Sequence, residues 1–141
     1  MSDPLAAALA AEEAAIYAYG LIGVRLNGDA DTDEARTAER THRDRRDVLV
    51  SLMSRLKRSA APAPAGYQLP FAVTDRASAL RLAVHVEDGV AQAWRACLPL
   101  RDGVDRGTAL AALTDAAVRA TRWRDRAGVT PVTMAFPGRA G

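Results

Sequence analysis

Three polar side chains interrupt the apolar stripe of one long predicted helix, and they constrain the fold more than any other feature of the sequence. An α-helix advances about 100° per residue, so positions three and four apart share a face. The second half of the stripe is apolar, but the first half carries a carboxylate, an imidazole and a guanidinium. Burying these groups is costly unless other segments supply partners. The stripe of the helix predicted for residues 32–58 reads Ala35, Glu39, His42, Arg46, Leu49, Met53 and Leu56.

The composition predicts a single all-α domain. Apolar residues form 49 % of the 141-residue chain and only 5 % of residues are aromatic. The main apolar types are Ala, Leu and Val, and Ala, Leu and Arg are strong helix formers. A chain of this length can bury one sizeable core. Periodicity and turn residues place a single domain over residues 1–141, with helices at about 3–26, 32–58, 75–98 and 105–127 and a tail at 128–141.

Charge and cysteine content argue against several classes of protein. The chain has 19 basic and 17 acidic residues, so no strong field attracts nucleic acid or a membrane surface. A single cysteine, Cys97, excludes an internal disulfide and fits a reducing compartment. The first residues lack the positive charge of a signal peptide, and we expect no apolar run that approaches ~18 residues. We therefore expect a cytoplasmic protein with no nucleic-acid or membrane partner.

The stretch 59–74 divides the predicted helices into two pairs. It contains three prolines, which remove backbone donors and prevent a continuous helix. About sixteen extended residues can span the length of a helical bundle, so this stretch predicts a long crossover that leaves helices two and three parallel. Short, long and short connections in that order are the wiring of ferritin-like bundles. The predicted fold is an all-α, ferritin-like four-helix bundle with the crossover between helices two and three.

Two further acids lie on apolar stripes. Glu12 shares a face with Leu9 and Ile16, and Glu87 shares a face with Val84. The di-metal sites of ferritin-like proteins take one Glu from each of two helices and Glu-x-x-His from each of the other two. Carboxylates bridge and neutralise the cations, and imidazole completes each coordination sphere. The candidate metal ligands are Glu12, Glu39, His42 and Glu87.

Helix four contains neither Glu nor His, so a complete dinuclear centre is not predicted. The favoured alternative has no cofactor, and in it the buried acids pair with arginines such as Arg46 and Arg122 in a metal-free polar cluster. Arg45 and Arg119 are further candidates for this pairing. A second alternative is a single iron or manganese ion on the candidate ligands. A small-molecule pocket at the same place is the third.

Four segments of the sequence resemble a known family. They read Ala-Glu-Glu-Ala-Ala-Ile-Tyr-Ala-Tyr-Gly at 11–20, Thr-His-Arg-Asp-Arg-Arg-Asp at 41–47, Gly-Tyr-Gln-Leu-Pro at 66–70 and Ala-Phe-Pro-Gly at 135–138. Together they resemble a bacterial ferritin-like family of uncharacterised function. The resemblance implies a ferritin-like four-helix bundle that is dimeric, and it implies no established activity.

Two classes of function follow from these observations. The first is a non-enzymatic bundle with a buried polar cluster and a surface for a protein partner. The alternative is a mononuclear metal-binding protein with a redox or metal-handling role. We also expect a homodimer, because Tyr67, Phe71, Met134 and Phe136 lie on irregular segments and exceed what one bundle needs to cover its ends. The sequence leaves open whether the protein is an enzyme.

Overall fold

The chain folds into four α-helices. A computed structural model describes residues 3–100 and 103–139, and within these ranges it contains no β-strand. The all-α prediction is therefore confirmed. The last two residues of the predicted tail lie outside the described residues. The elements are α1 (Pro4–Gly23), α2 (Asp29–Arg55), α3 (Arg76–Arg95), a short 3₁₀ helix (Leu98–Leu100) and α4 (Gly103–Ala127).

Side-chain caps or left-handed backbone conformations explain four of the helix ends. The Asp3 side chain accepts a hydrogen bond from the backbone of Leu5, and Asp75 forms a capping box with Ser78 at the start of α3. Helix α4 ends before Gly128, which has the positive φ angle of +70° typical of a helix terminator. Helix α2 ends three residues earlier than predicted because Lys57 adopts a positive φ of 57°.

Ion pairs at the two ends of the bundle define the helix directions. Asp31, near the start of α2, accepts from Arg76 at the start of α3 and contacts Arg126 at the end of α4. At the opposite end, Arg55 of α2 pairs with Asp105 of α4. Helices α2 and α3 therefore run in the same direction, and α4 runs in the opposite one. Helix α1 packs against both α2 and α3, and α3 packs against α4.

The stretch 56–75 follows α1 from its amino end to its carboxyl end. Residues 60–64 lie beside the first turns of α1. Further along, the Tyr67 ring lies 5.1 Å from the ring of Tyr17, and Phe71 packs against the core near the end of α1. Tyr67 and Phe71, which the homodimer prediction assigns to the interface, are both partly buried against their own chain.

A polar layer divides the apolar core into two clusters. Along α2 and α3, His42 and Glu87 lie between residues of one cluster and residues of the other, and Glu12 of α1 lies beside them, between Leu9 and Ala15 of the first cluster. All three are buried. The first cluster includes Leu5, Leu9, Leu49, Met53, Trp94 and Leu113, and the second includes Tyr19, Ile22, Ala38, Leu80, Leu82 and Trp123.

Helix α1 is long and apolar enough, by length and composition, to cross a membrane. Its mean hydropathy reaches 1.4 over 18 residues, and it is the one such helix among the described residues. This finding corrects the expectation that no segment approaches that length. The core helix of a soluble bundle passes the same test, and the packing of α1 against two neighbouring helices accounts for its apolar character.

Candidate functional site

The imidazole of His42 lies between two buried carboxylates. Its Nδ1 atom is 2.5 Å from Glu12 Oε2, and its Nε2 atom is 2.8 Å from Glu87 Oε2. His42 is 1 % exposed and both glutamates are 0 % exposed. With both glutamates ionised, each carboxylate only accepts hydrogen bonds, so both ring nitrogens donate and the ring is an imidazolium. Burial lowers the pKa of His42, but the hydrogen bonds and charges of Glu12 and Glu87 outweigh it and raise the pKa to about 9.

Both glutamates receive further donors. Glu12 Oε1 accepts from the indole Nε1 of Trp94 at 2.8 Å. Glu87 Oε2 also accepts from the Tyr19 hydroxyl at 2.5 Å, and Glu87 Oε1 accepts from Arg119 Nη1 at 3.5 Å. Each of the four carboxylate oxygens therefore has a protein donor, as buried carboxylates require.

The hydrogen bonds between α1 and α3 are reciprocal. Glu12 and Tyr19 are seven residues apart, as are Glu87 and Trp94, and a seven-residue step returns to within about 20° of the same helix face. Helices α1 and α3 are antiparallel neighbours. Glu12 therefore contacts Trp94 at one level of the bundle, and Tyr19, seven residues further along α1, contacts Glu87 at another. The Trp123 indole of α4 donates to the Tyr19 hydroxyl at 2.9 Å. We call these seven residues the central cluster: Glu12, Tyr19, His42, Glu87, Trp94, Arg119 and Trp123.

The central cluster is electrically balanced. Two carboxylates face one imidazolium and the guanidinium of Arg119, so the formal charges cancel within a buried layer. Burial lowers the pKa of Arg119, but the charges of Glu87 and Asp115 outweigh it and raise the pKa. Burial and the adjacent Glu87 raise the pKa of Tyr19, which keeps its hydroxyl protonated and donating. Arg119 also binds Asp115 Oδ1 at 3.1 Å, which links the cluster to the surface of α4.

Three of the four predicted ligand residues converge, and Glu39 does not. Glu39 pairs with Arg43 at 2.9 Å on the outer side of α2, with its side chain 32 % exposed. Three residues correspond to about 300°, so Glu39 and His42 differ by about 60° around the helix. That difference turns Glu39 outward, and Ala38 occupies the buried position instead. The prediction that Glu39 joins the buried site is therefore wrong.

The arginine that completes the cluster is Arg119. Arg46 instead pairs with its neighbour Asp47 near the surface, and Arg122 is exposed. The predicted pairing of the buried acids with Arg46 and Arg122 is therefore wrong. Periodicity does not predict the hydrogen-bond partners of the three aromatic donors, Tyr19, Trp94 and Trp123. The repeated spacing of a stripe Glu and an aromatic residue seven positions later is the signal that could have found two of them.

Glu12, His42 and Glu87 carry oxygen and nitrogen atoms that metal ions favour as ligands, but the arrangement of these atoms opposes the binding of a metal ion. Within residues 3–100 and 103–139, no group of three His, Cys, Asp or Glu side chains is placed to hold a metal ion. The His42 ring separates the two carboxylates, with one nitrogen directed at each. For His42 to bind a cation, one nitrogen would have to lose both its proton and its carboxylate partner.

Comparison with known proteins gives a family and a fold but no activity. The family described as “Domain of unknown function (DUF4439)” matches residues 4–141. The chain is similar to the crystal structure of a conserved hypothetical protein, rv2844, from Mycobacterium tuberculosis, with 41 % sequence identity and a TM-score of 0.82. That match covers 87 % of this chain and 93 % of the other. No curated protein matches the sequence.

Proposed function

We propose that this chain, which belongs to the family described as “Domain of unknown function (DUF4439)”, is a non-enzymatic ferritin-like scaffold. In this proposal the central cluster replaces the di-metal centre, no cofactor is bound, and the protein acts through a surface that binds a protein partner. The residues of the central cluster then have a structural role, because they fix how four helices pack against one another.

The order of the connections supports the ferritin-like assignment. Residues 24–28 join α1 to α2, and the stretch with the 3₁₀ helix joins α3 to α4. The long stretch 56–75 lies between these two helix pairs. Two short connections flanking one long crossover, with helices two and three in the same direction, are the ferritin-like pattern.

The observation that carries the proposal is that the central cluster is closed. Both oxygens of Glu12, both oxygens of Glu87 and both nitrogens of His42 already have protein partners. A catalytic metal site keeps an open position for water or substrate, and general acid–base catalysis requires a group within reach of a substrate proton. A fully satisfied buried network instead makes a core rigid and specifies one packing.

The convergence of Glu12, His42 and Glu87 favours a second candidate function, a mononuclear iron or manganese protein. Carboxylate and imidazole ligands suit these ions, and the three residues come from three different helices. Two features oppose this alternative. The His42 proton would have to leave, and the guanidinium of Arg119 beside Glu87 would repel the incoming cation.

Metal analysis of matched histidine variants separates the two candidates. The chain has two histidines; His42 is buried in the cluster and His85 is exposed. We expect protein purified without chelator to contain substoichiometric iron and manganese, and added metal to leave its melting temperature nearly unchanged. We expect His42→Gln to lose about 3–5 kcal/mol of stability, because it leaves the two carboxylates without their central cation. His85→Gln should change stability by about 0.5 kcal/mol or less.

The opposite result would establish the metalloprotein. One tightly held equivalent of iron or manganese per chain, retained in His85→Gln and lost in His42→Gln, would contradict the proposal. Elemental analysis and thermal melting with and without added metal make this distinction in the same preparations.

A further inference from the structure

A cavity of about 370 Å³ lies between α3, α4 and the tail. Its described lining residues do not include any member of the central cluster. The volume falls within the range of about 300–1,000 Å³ that is usual for small-molecule sites. Most of the wall is apolar and consists of Ala91, Leu113, Ala117, Val118, Met134 and Pro137.

The tail is held against α3 at one side of this cavity. Arg95 Nη1 of α3 donates to the carbonyl oxygen of Pro137 at 3.0 Å. Gly138 has a positive φ of 79°, and a Cβ atom at this position would lie 2.7 Å from the carbonyl oxygen of Ala91. Glycine is therefore the residue that permits this close approach. The last two residues of the segment Ala-Phe-Pro-Gly at 135–138 thus form one wall of the cavity.

An ion pair lies in the opposite part of the wall. Arg124 of α4 is 9 % exposed, and its Nη2 atom donates to Asp88 Oδ2 of α3. The same nitrogen contacts the sulfur of Met134 at 3.5 Å. Both charged groups keep unused atoms, because among the described residues Arg124 Nε and Nη1 have no acceptor and Asp88 Oδ1 has no donor. The wall therefore presents cationic donors next to an anionic acceptor.

The pairing with Arg124 does not fully compensate the charge of Asp88. Burial raises the pKa of Asp88, and the charge and hydrogen bond of Arg124 offset this effect only in part. A second cation beside Asp88 would stabilise its ionised form. A carboxylate beside Arg124 would make charge-assisted hydrogen bonds, which are stronger than those between neutral groups. The ion pair is thus complementary to a ligand that carries one ammonium group and one carboxylate.

We infer that this cavity binds a small α-amino acid with an apolar side chain. The ammonium group of the ligand donates to Asp88 Oδ1, its carboxylate accepts from Arg124, and its side chain packs against the apolar wall. The ligand is bound and released without covalent change. Such a site lies beyond the proposed function, because a scaffold can bind this ligand without catalysing a reaction.

The charges of the wall disfavour other classes of small molecule. A phosphate ester would bring about two negative charges close to Asp88, and a polyamine would bring several positive charges close to Arg124. An amino acid with a polar side chain would leave the apolar wall without a matching surface. Leucine combines the two opposite charges with a compact apolar side chain, so it is the appropriate probe.

Titration with leucine, followed by NMR of protein labelled with ¹³C-methyl methionine, tests the site. Met134 lines the cavity, whereas Met53 is 1 % exposed in the core. We expect leucine to shift the Met134 methyl signal in a saturable way and to leave the Met53 signal unchanged. No saturable shift of the Met134 signal up to about 10 mM leucine would overturn the inference.

Analogues that lack one charged group test the role of the ion pair. Isocaproate lacks the ammonium group of leucine, and isoamylamine lacks its carboxylate. Loss of one charge-assisted hydrogen bond lowers affinity about 10- to 100-fold. We therefore expect each analogue to bind at least about tenfold more weakly than leucine. Equal or tighter binding of either analogue would contradict the recognition of an amino acid.

The variant Asp88→Asn tests the position of the ammonium group. It keeps a side-chain oxygen for Arg124 and removes the negative charge. We expect leucine to bind about tenfold or more weakly to this variant, and we expect leucine and isocaproate to bind to it with similar affinity. Undiminished binding of leucine to Asp88→Asn would overturn the inference. Should this variant fail to fold, the analogues bound to the wild type still decide.

The matched control is Asp115→Asn on α4. Asp115 has the same side-chain exposure as Asp88, 37 %, and it also pairs with a buried arginine. It is not among the described residues that line the cavity, so this variant should bind leucine with the affinity of the wild type. A similar loss of affinity in Asp115→Asn and Asp88→Asn would contradict a specific contact at Asp88. These outcomes do not depend on the metal content or on the His42→Gln result, so this inference and the proposed function can fail separately.

Discussion

The protein has two polar networks that join helices, and they differ in depth. The central cluster joins all four helices in a layer where Glu12, His42 and Glu87 have almost no exposed surface. The end network, defined as Asp31, Glu34, Arg76 and Arg126, joins α2, α3 and α4 at one end of the bundle. Its Arg76 side chain is 44 % exposed. Similar charged groups therefore work in two different dielectric environments.

A similar ion pair therefore contributes a different free energy of stabilisation in each place. At the end of the bundle, water can replace a lost partner, and exposed pairs contribute about 0–1 kcal/mol. In the central cluster no water is available to a stranded charge, so removal of one partner costs about 3–5 kcal/mol. Variants of the two networks test this difference.

Replacement of Glu87 by Leu should have the largest effect. Glu87 accepts from His42, Tyr19 and Arg119, so its loss leaves two buried cations with fewer partners. We expect a loss of at least about 3–5 kcal/mol in the free energy of unfolding measured with urea. The control Glu39→Gln removes a surface carboxylate and should cost about 0.5 kcal/mol. Equal effects of the two variants would remove the distinction between the two environments.

The pH dependence of stability should depend on His42. Its folded-state pKa of about 9 lies above the ordinary value of 6.5, so folding takes up a proton between these values. The stabilisation by His42 is fully present below about pH 6.5 and is lost as the pH rises through about 9. Unfolding by urea at several pH values should show a decrease of a few kcal/mol for the wild type across this window. In His42→Gln the decrease should be much smaller, and an equally steep decrease would contradict the imidazolium.

Replacement of Tyr19 by Phe should have an intermediate effect. This change removes the donor to Glu87 and the acceptor of the Trp123 indole without removing a charge. Loss of a buried hydrogen-bond partner costs about 1–3 kcal/mol. Tyr17→Phe is the matched control, because Tyr17 lies at the surface of the same helix. A Tyr19→Phe protein as stable as Tyr17→Phe would show that the hydroxyl is not part of the network.

The smallest effect should come from the end network. Arg76→Gln removes a partly exposed cation from Asp31, which keeps its contact with Arg126. We expect a loss of about 1 kcal/mol or less, and we expect salt to weaken this contribution because exposed charges are screened. The cost of Glu87→Leu should not change between low and high salt. A loss of several kcal/mol in Arg76→Gln would mean that the bundle end is not in contact with water.

The sequence predicted the broad fold and the three buried polar residues for a clear physical reason. Helical periodicity identifies which face of each helix turns inward, so the order of the residues alone assigns Glu12, His42 and Glu87 to the core. Periodicity is less decisive at the border of a face, and Glu39 lies there. Glu39 is rotated about 60° from His42 around the helix, and this rotation places its side chain in a surface ion pair and not in the buried site.

Pairing between helices could not be predicted from periodicity alone. The contact of Glu12 with Trp94 depends on the axial register of α1 and α3, which is set by packing of distant residues. The choice of Arg119 over Arg46 and Arg122 likewise depends on how α4 rotates against α3. The early end of α2 depends on a left-handed conformation at Lys57, at a position that glycine or asparagine usually occupies.

The protonation state of His42 decides whether the central cluster is closed to a metal ion. In the closed cluster both ring nitrogens donate to carboxylates. The ring therefore stays an imidazolium at pH values above 6.5, the ordinary pKa of histidine. We propose long-range ¹H–¹⁵N NMR at pH 8 on labelled protein purified without chelator, with His42→Gln to assign the signals. We expect two protonated, slowly exchanging ring nitrogens for His42. A neutral ring, or a ring with one nitrogen bound to a metal ion, would contradict it.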